Sequence, residues 1–296
     1  MLIVVLVLSC LAGFSTRRGT ICLVRASQEI IAKKPPKTII FILQAITVSL
    51  SITVPAMMFF PEHVVPAISY QISISLFWGA VIYGLGSAIN GGCAFGTLNY
   101  LINGNLNYLG TFVGLFIGYF IYLNYPEIVP LNNPVKDTSV ENHIIYLGTL
   151  VIISWGFVIW RTKRFFNSTF KTLYKRYNDY LRSPVARDFI AILILGLSSG
   201  SLYILIGHSW NHTQFILSSG QLIFNVTPNI NNFYTVTATT IGFIGGIILA
   251  TYLSKSFKAI PITPAKLLRR MIGGILMSIG AIFIPGGNDT LILYDM

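Results

Sequence analysis

Residues 84–105 read GLGSAINGGCAFGTLNYLINGN, a stretch without one charged side chain in which Gly84, Gly86, Gly91, Gly92 and Gly96 crowd around Cys93. It lies inside a run from Val64 to Pro126 that contains no Asp, Glu, Lys or Arg. One helical crossing of a bilayer needs roughly 20 apolar residues, so this run is long enough for two crossings and for something between them. Gly is a poor helix former and Asn a mediocre one. At membrane depth a broken backbone is tolerated only where protein or a watery cavity satisfies its polar groups. The uncharged Gly- and Asn-rich segment from Asn90 to Asn105, next to two spans, therefore predicts a re-entrant element lining a path.

Working outward, the same absence of charge recurs from Thr38 to Pro61, Asn142 to Trp160, Phe189 to Ser254 and Met271 to Asn288. Only 10% of the 296 residues are charged and 54% are hydrophobic, against about a quarter charged in a soluble globule, which excludes a soluble enzyme. The expectation is an all-α polytopic membrane protein with about eight transmembrane helices plus short re-entrant ones. The proposed crossings are 2–14, 38–60, 66–89, 107–125, 144–160, 189–207, 233–254 and 271–285.

The net charge of +11 is not a stripe on a folded surface. Six basic residues lie in Arg17 to Lys37, eight in Arg161 to Arg187 and five in Lys255 to Arg270, with Lys136 alone outside these blocks. Lys and Arg accumulate on the cytoplasmic side of membrane proteins, so the blocks are assigned inside and nucleic-acid binding is rejected. Glu62 and the stretch containing Glu127, Asp137 and Glu141 are assigned outside. The path then alternates without conflict, the first span running inward and the last outward.

Several features receive plain structural readings. The first apolar run lacks a basic segment ahead of it, which argues against a cleaved signal. Cys10, Cys22 and Cys93 form no disulfide framework by number or spacing, and Cys10 is assigned to packing. Gly110, Gly114 and Gly118 form a small-residue ridge for helix contact. Arg17 and Arg18 read as topology signals. His208 and His212 have metal-pair spacing but no third ligand, and the uncharged segment 208–232 is either a second dip or an outer loop.

Internal echoes suggest duplication. Gly84, Gly86 and Gly91-Gly92-Cys93 return as Gly280 and Gly286-Gly287-Asn288, and Gly13-Phe14-Ser15 returns as Gly196-Leu197-Ser198. With opposite starting directions, the halves form two inverted pseudo-repeats: 1–160, then a basic cytoplasmic loop at 161–188, then 189–296. Transporters built this way hold substrate near the midplane, between discontinuous helices.

An anion crossing a bilayer loses its water shell, at a large cost unless donors replace it. No Lys or Arg is expected inside the spans. Donation then falls to backbone N–H groups at broken-helix ends, to Asn90, Asn99, Asn103 and Asn288, and to thiols, which are weak polarizable donors.

The segments GFSTRRGTICLVRA (13–26), GLGSAINGGCAFGTLNYLINGN (84–105) and GGILMSIGAIFIPGGNDTLILY (273–294) resemble the YeeE/YedE family of bacterial inner-membrane proteins, whose characterised members take up thiosulfate. The resemblance covers most of the chain in order. It implies short helices dipping in from both faces and cysteine thiols along a narrow central route. Cys22 and Cys93 match two family cysteines, while the third falls on Asn288. The substrate path implied is Cys22, Cys93, Gly91, Gly92, Asn90, Gly286, Gly287 and Asn288, without catalytic residues, metal or cofactor. The expected function is uptake of an inorganic sulfur-containing anion, thiosulfate first, across the bacterial inner membrane. The alternatives are another sulfur or selenium species, or a membrane thiol enzyme that passes sulfur to a small soluble carrier. The absence of His, Lys or Arg between Val64 and Pro126 weighs against the enzyme, because nothing nearby would activate the thiol. The second half ends at Met296 with no counterpart of 107–125. This raises the expectation that the 296 residues alone are unstable or inactive, and that an added C-terminal span or a separate small subunit restores them.

Overall fold

A computed structural model of the chain describes residues 1–19, 22–60, 73–124, 184–207 and 230–284, together with isolated positions in 145–156 and at 215 and 219. Every element of length among them is helical: α1 (Leu2–Gly19), α2 (Leu23–Ile31), α3 (Lys37–Phe59), α4 (Ile74–Asn90), α5 (Ala94–Ile102), α6 (Leu109–Asn124), α7 (Pro184–Ile206), α8 (Ile230–Leu253) and α9 (Pro264–Phe283). A single 3-10 turn, Leu106–Tyr108, leads into α6.

Six stretches are long and apolar enough to cross a membrane: Leu2–Ile31, Lys37–Phe59, Ile74–Ile102, Leu106–Asn124, Asp188–Ile206 and Phe233–Leu253. The chain is a multi-pass membrane protein. The eight expected crossings reduce to these six among the described residues. The 144–160 crossing lies largely outside them, and α9 carries Lys266, Arg269 and Arg270 in its first two turns.

Four helix boundaries differ from expectation by five residues or more: α4 starts at Ile74 rather than at 66, and α1, α7 (from Pro184 rather than 189) and α9 run into charged segments for a common reason. Charge gaps locate the apolar part of a helix, whereas the helix itself continues wherever propensity allows. α1 runs past Phe14 to Gly19 with Arg17 and Arg18 in its last turn, where cations complement the negative end of the dipole. α9 begins not at Met271 but at Pro264, a residue suited to the first helical position. Elsewhere side chains set the ends. Glu29 accepts from the Thr38 backbone N–H at 2.9 Å and from its hydroxyl at 2.7 Å, capping α3. Ser73 accepts from Leu76 N–H at 3.2 Å to start α4.

Lipid offers no hydrophobic drive for helix pairing, so close approach at small residues does that work. The Gly110, Gly114 and Gly118 ridge of α6 meets Leu267, Met271 and Ser278 of α9. Gly86 and Gly273 lie against each other where α4 crosses α9. Gly242 and Gly246 of α8 receive Ser9, Cys10 and Phe14 of α1, and Gly196 and Gly200 of α7 receive Ala45, Val48, Ser49 and Ile52 of α3. Buried hydroxyls return to their own helices, as in Thr16 to Ala12 O (2.8 Å) and Thr240 to Val236 O (2.7 Å).

These contacts fix relative directions. α1 runs parallel to α8, α3 to α7 and α6 to α9, whereas α4 runs antiparallel to α9. All four relations are those of the alternating path. At one face Arg17 reaches Asn103 and Ser256, Lys258 N–H bonds to Asn103 O at 2.9 Å, and Thr263 N–H bonds to the Asn107 side chain at 2.8 Å. The end of α1 and the 255–263 loop thus share a face. Single-cysteine labelling should find positions 33, 171 and 266 accessible from the cytoplasmic side and 137 from the other; opposite sides for 33 and 266 would contradict the arrangement.

Candidate functional site

Cys22 and Cys93, 71 residues apart in sequence, meet with their sulfurs 3.6 Å apart. Both are buried, at 7% and 4% exposure. Each occupies the residue just before a nine-residue helix, Cys22 ahead of α2 and Cys93 ahead of α5, in extended backbone and with no side-chain cap bond. The first N–H groups of a helix lack partners within it and carry partial positive charge. Two helix starts therefore converge on one thiol pair, a setting that favours negative charge.

The break that turns Cys93 toward Cys22 is confined to three residues. Gly91 has φ 71°, the left-handed region that favours glycine, and its N–H and that of Gly92 bond back to Ser87 O at 2.8 and 3.1 Å, closing α4. Gly96 faces Cys22, and a Cβ there would lie 3.0 Å from its sulfur.

Asn90 is fully buried and donates to Gly92 O (2.8 Å) and Thr97 Oγ1 (2.7 Å), while its Oδ1 accepts from Thr111 Oγ1 (2.7 Å). Both its amide hydrogens are engaged, so it organises the break and ties it to α6. Asn90→Ala leaves these groups unmet in a buried place and should cost about 2–4 kcal/mol. The check is a lower unfolding temperature followed with a fluorogenic thiol dye, which reports exposure of the buried cysteines.

The remaining candidates are distributed as follows. Asn99 donates to Phe95 O at 3.0 Å and its Oδ1 is buried without a partner. Asn103 Oδ1 accepts from Arg17 at 2.7 Å and Ser256 at 3.1 Å. Cys10 is half-buried in α1, apart from the pair. Gly286, Gly287 and Asn288, like His208 and His212, lie outside the described residues.

Sequence reasoning missed three neighbours of the break. The Tyr100 ring covers Gly92 and Gly96, whose Cβ positions would lie 3.3 and 3.8 Å from it. Tyr100 stacks on Tyr108 with centroids 5.0 Å apart, and the Arg270 guanidinium carbon sits 4.3 Å above the Tyr108 ring. A Cβ on Gly91 would be 2.8 Å from Arg270 Nη1. The expectation that no cation stands near the path is thereby corrected, because Arg270 reaches Gly91 from α9 and Arg17 is a helix residue bonded across the bundle. Nothing in the sequence signals either contact, since both arginines sit in blocks that also serve topology.

Comparison with curated proteins finds no match. A family model described as sulphur transport matches residues 18–296. Nearly the whole chain is covered, from the end of α1 through both broken-helix cysteines to the last residue, and the protein belongs to this sulphur-transport family, YeeE/YedE.

Proposed function

We propose that the protein takes up an inorganic sulfur-containing anion, thiosulfate in the first instance, across the bacterial inner membrane, with its basic face toward the cytoplasm. The observation that carries this reading is the Cys22–Cys93 pair at two converging helix starts. The anion exchanges water for backbone N–H groups and the two thiols. These are weak contacts in succession, and weakness favours release of a doubly charged ion. Asn90, Gly91 and Gly92 shape the narrow point, and the sequence echo at Gly286, Gly287 and Asn288 supports a like role for these in the second half.

An inverted repeat is supported by how the helices pair. Exchanging α1 with α7, α3 with α8 and α4 with α9 turns the α1–α8 contact into the α7–α3 contact and leaves the α4–α9 contact unchanged. The echo residues follow: Gly13 packs on Phe243 of α8, and Gly196 packs on Ala45 and Val48 of α3. The halves are 1–160 and 189–296.

The relay reading has one observation in its favour, the Arg270 cation beside Gly91. There a cysteine thiolate attacks the outer sulfur of thiosulfate, an S–S bond forms, sulfite leaves, and a small soluble carrier accepts the sulfur. Proteoliposomes given thiosulfate labelled in the outer sulfur separate the readings. Transport delivers intact labelled thiosulfate to the lumen; a relay leaves label on the protein and releases unlabelled sulfite. Absence of uptake, with a sulfur auxotroph carrying the protein unable to grow on thiosulfate, rejects the proposal.

A further inference from the structure

Arg270 has an unusual position for a cation in this molecule. Among the described residues no carboxylate lies within ion-pair distance of it, the ion pair there being Arg25 with Glu29 at 3.6 Å. Its Nε is buried without a hydrogen-bond partner. Arg270 is half-buried, and its support is the Tyr108 ring at 4.3 Å, a contact worth about 0.5–2 kcal/mol.

One structural role is already filled by others. The last carbonyls of α4 carry negative partial charge that a cation would offset, yet Arg269 Nε bonds Ile89 O at 3.0 Å, and Gly91 and Gly92 N–H take Ser87 O. Arg270 instead extends past that end to Gly91, whose missing side chain leaves the guanidinium its place. Gly91 precedes Cys93 by two residues, at most about 7 Å of chain. The Tyr108 ring that supports Arg270 stacks on Tyr100, which covers Gly92 and Gly96 beside Cys22.

We propose that Arg270 is a specificity-determining residue of the transport path: its guanidinium, without a carboxylate partner among the described residues and held against Gly91 by the Tyr108–Tyr100 stack, attracts the negative charge of the substrate to the thiol pair and selects anions over neutral molecules of the same size. This rests on the transport reading for its substrate, but the charge selection is a property of the site and is testable without transport. A planar guanidinium with free N–H groups takes an oxyanion edge in a two-point fashion, while the thiols face the sulfur end.

The test compares alkylation of Cys22 and Cys93 by iodoacetate and by the near-isosteric neutral iodoacetamide, read by peptide mass spectrometry on the full chain in membranes. Labelled-thiosulfate uptake is measured in parallel. Arg270→Gln should lower the iodoacetate-to-iodoacetamide rate ratio by about tenfold and raise KM for thiosulfate by about tenfold with a smaller change in maximal rate. Arg270→Lys, which keeps the charge but not the two-point geometry, should recover most of the alkylation ratio and less of the KM, and Lys266→Gln, an exposed charge on the same helix, should alter neither. If the protein transports no thiosulfate, the transport reading fails while the alkylation ratio still decides the role of Arg270. An unchanged ratio in Arg270→Gln, or a loss of labelling by both reagents alike that lysine does not restore, overturns the proposal.

Discussion

Cys93→Ala is expected to lower thiosulfate uptake by about 100-fold or more, with the protein still inserted at its normal level. Tenfold in rate corresponds to about 1.4 kcal/mol, so roughly 2.7 kcal/mol is assigned to this one sulfur. The basis is position: Cys93 is buried, precedes α5 and touches the only other thiol at the break. Cys22→Ala should cost about tenfold, and Cys10→Ala should change uptake less than twofold, because Cys10 lies in α1 apart from the pair. Residues in contact are not additive, so replacing both should be little worse than replacing Cys93 alone. Serine at position 93 separates two roles of the sulfur. Full uptake by Cys93→Ser means a small donor suffices; failure means the softer, larger sulfur is required. Normal uptake by the double alanine variant removes the thiols from the path.

The second large effect concerns the seam between α6 and α9. At Gly114 a Cβ would lie 2.9 Å from Ile275 N and 3.0 Å from Gly274 Cα, and it would also press on the Met271 carbonyl. All three are backbone atoms, which yield only if the helices separate. Gly114→Leu should therefore destabilise the protein by at least about 3 kcal/mol, seen as loss of folded protein in mild detergent by size-exclusion chromatography. Gly84→Ala is the matched control, since nothing lies within 4 Å of a Cβ there, and it should leave yield unchanged. Equal behaviour of the two variants would mean that this seam does not hold α6 in place.

The residues differ in how far they announce their role. Helix positions followed from charge gaps because in lipid the cost of a charge is high, and α3, predicted at 38–60, is found at Lys37–Phe59. A break after the third span was legible because Gly and Asn crowd residues 90–105, but its seat at the left-handed Gly91 was not. The breadth of the break was not: 94–102 is a regular helix, despite the surrounding Gly and Asn, because Asn90, Thr97 and Thr111 satisfy one another and leave α5 free to form. The meeting of Cys22 and Cys93 depends on where α2 and α5 are carried by the bundle, which no local pattern encodes. Arg270 was hidden for a different reason. Its charge reads equally well as a signal for orientation, and only the empty side of Gly91 reveals that the guanidinium has a place to go.

The pairing of helices also governs how this chain is made. α1 leaves the ribosome before its neighbours: the glycine-lined α8 and α7 are encoded some 180–240 residues later, and α6 waits for α9. Until then the polar Ser9 and Thr16, buried in the finished protein, face lipid or transient companions. Assembly is thus a late event that draws earlier helices back together with later ones. Neither half can complete its own packing, so two separately expressed halves would need each other to persist in the membrane.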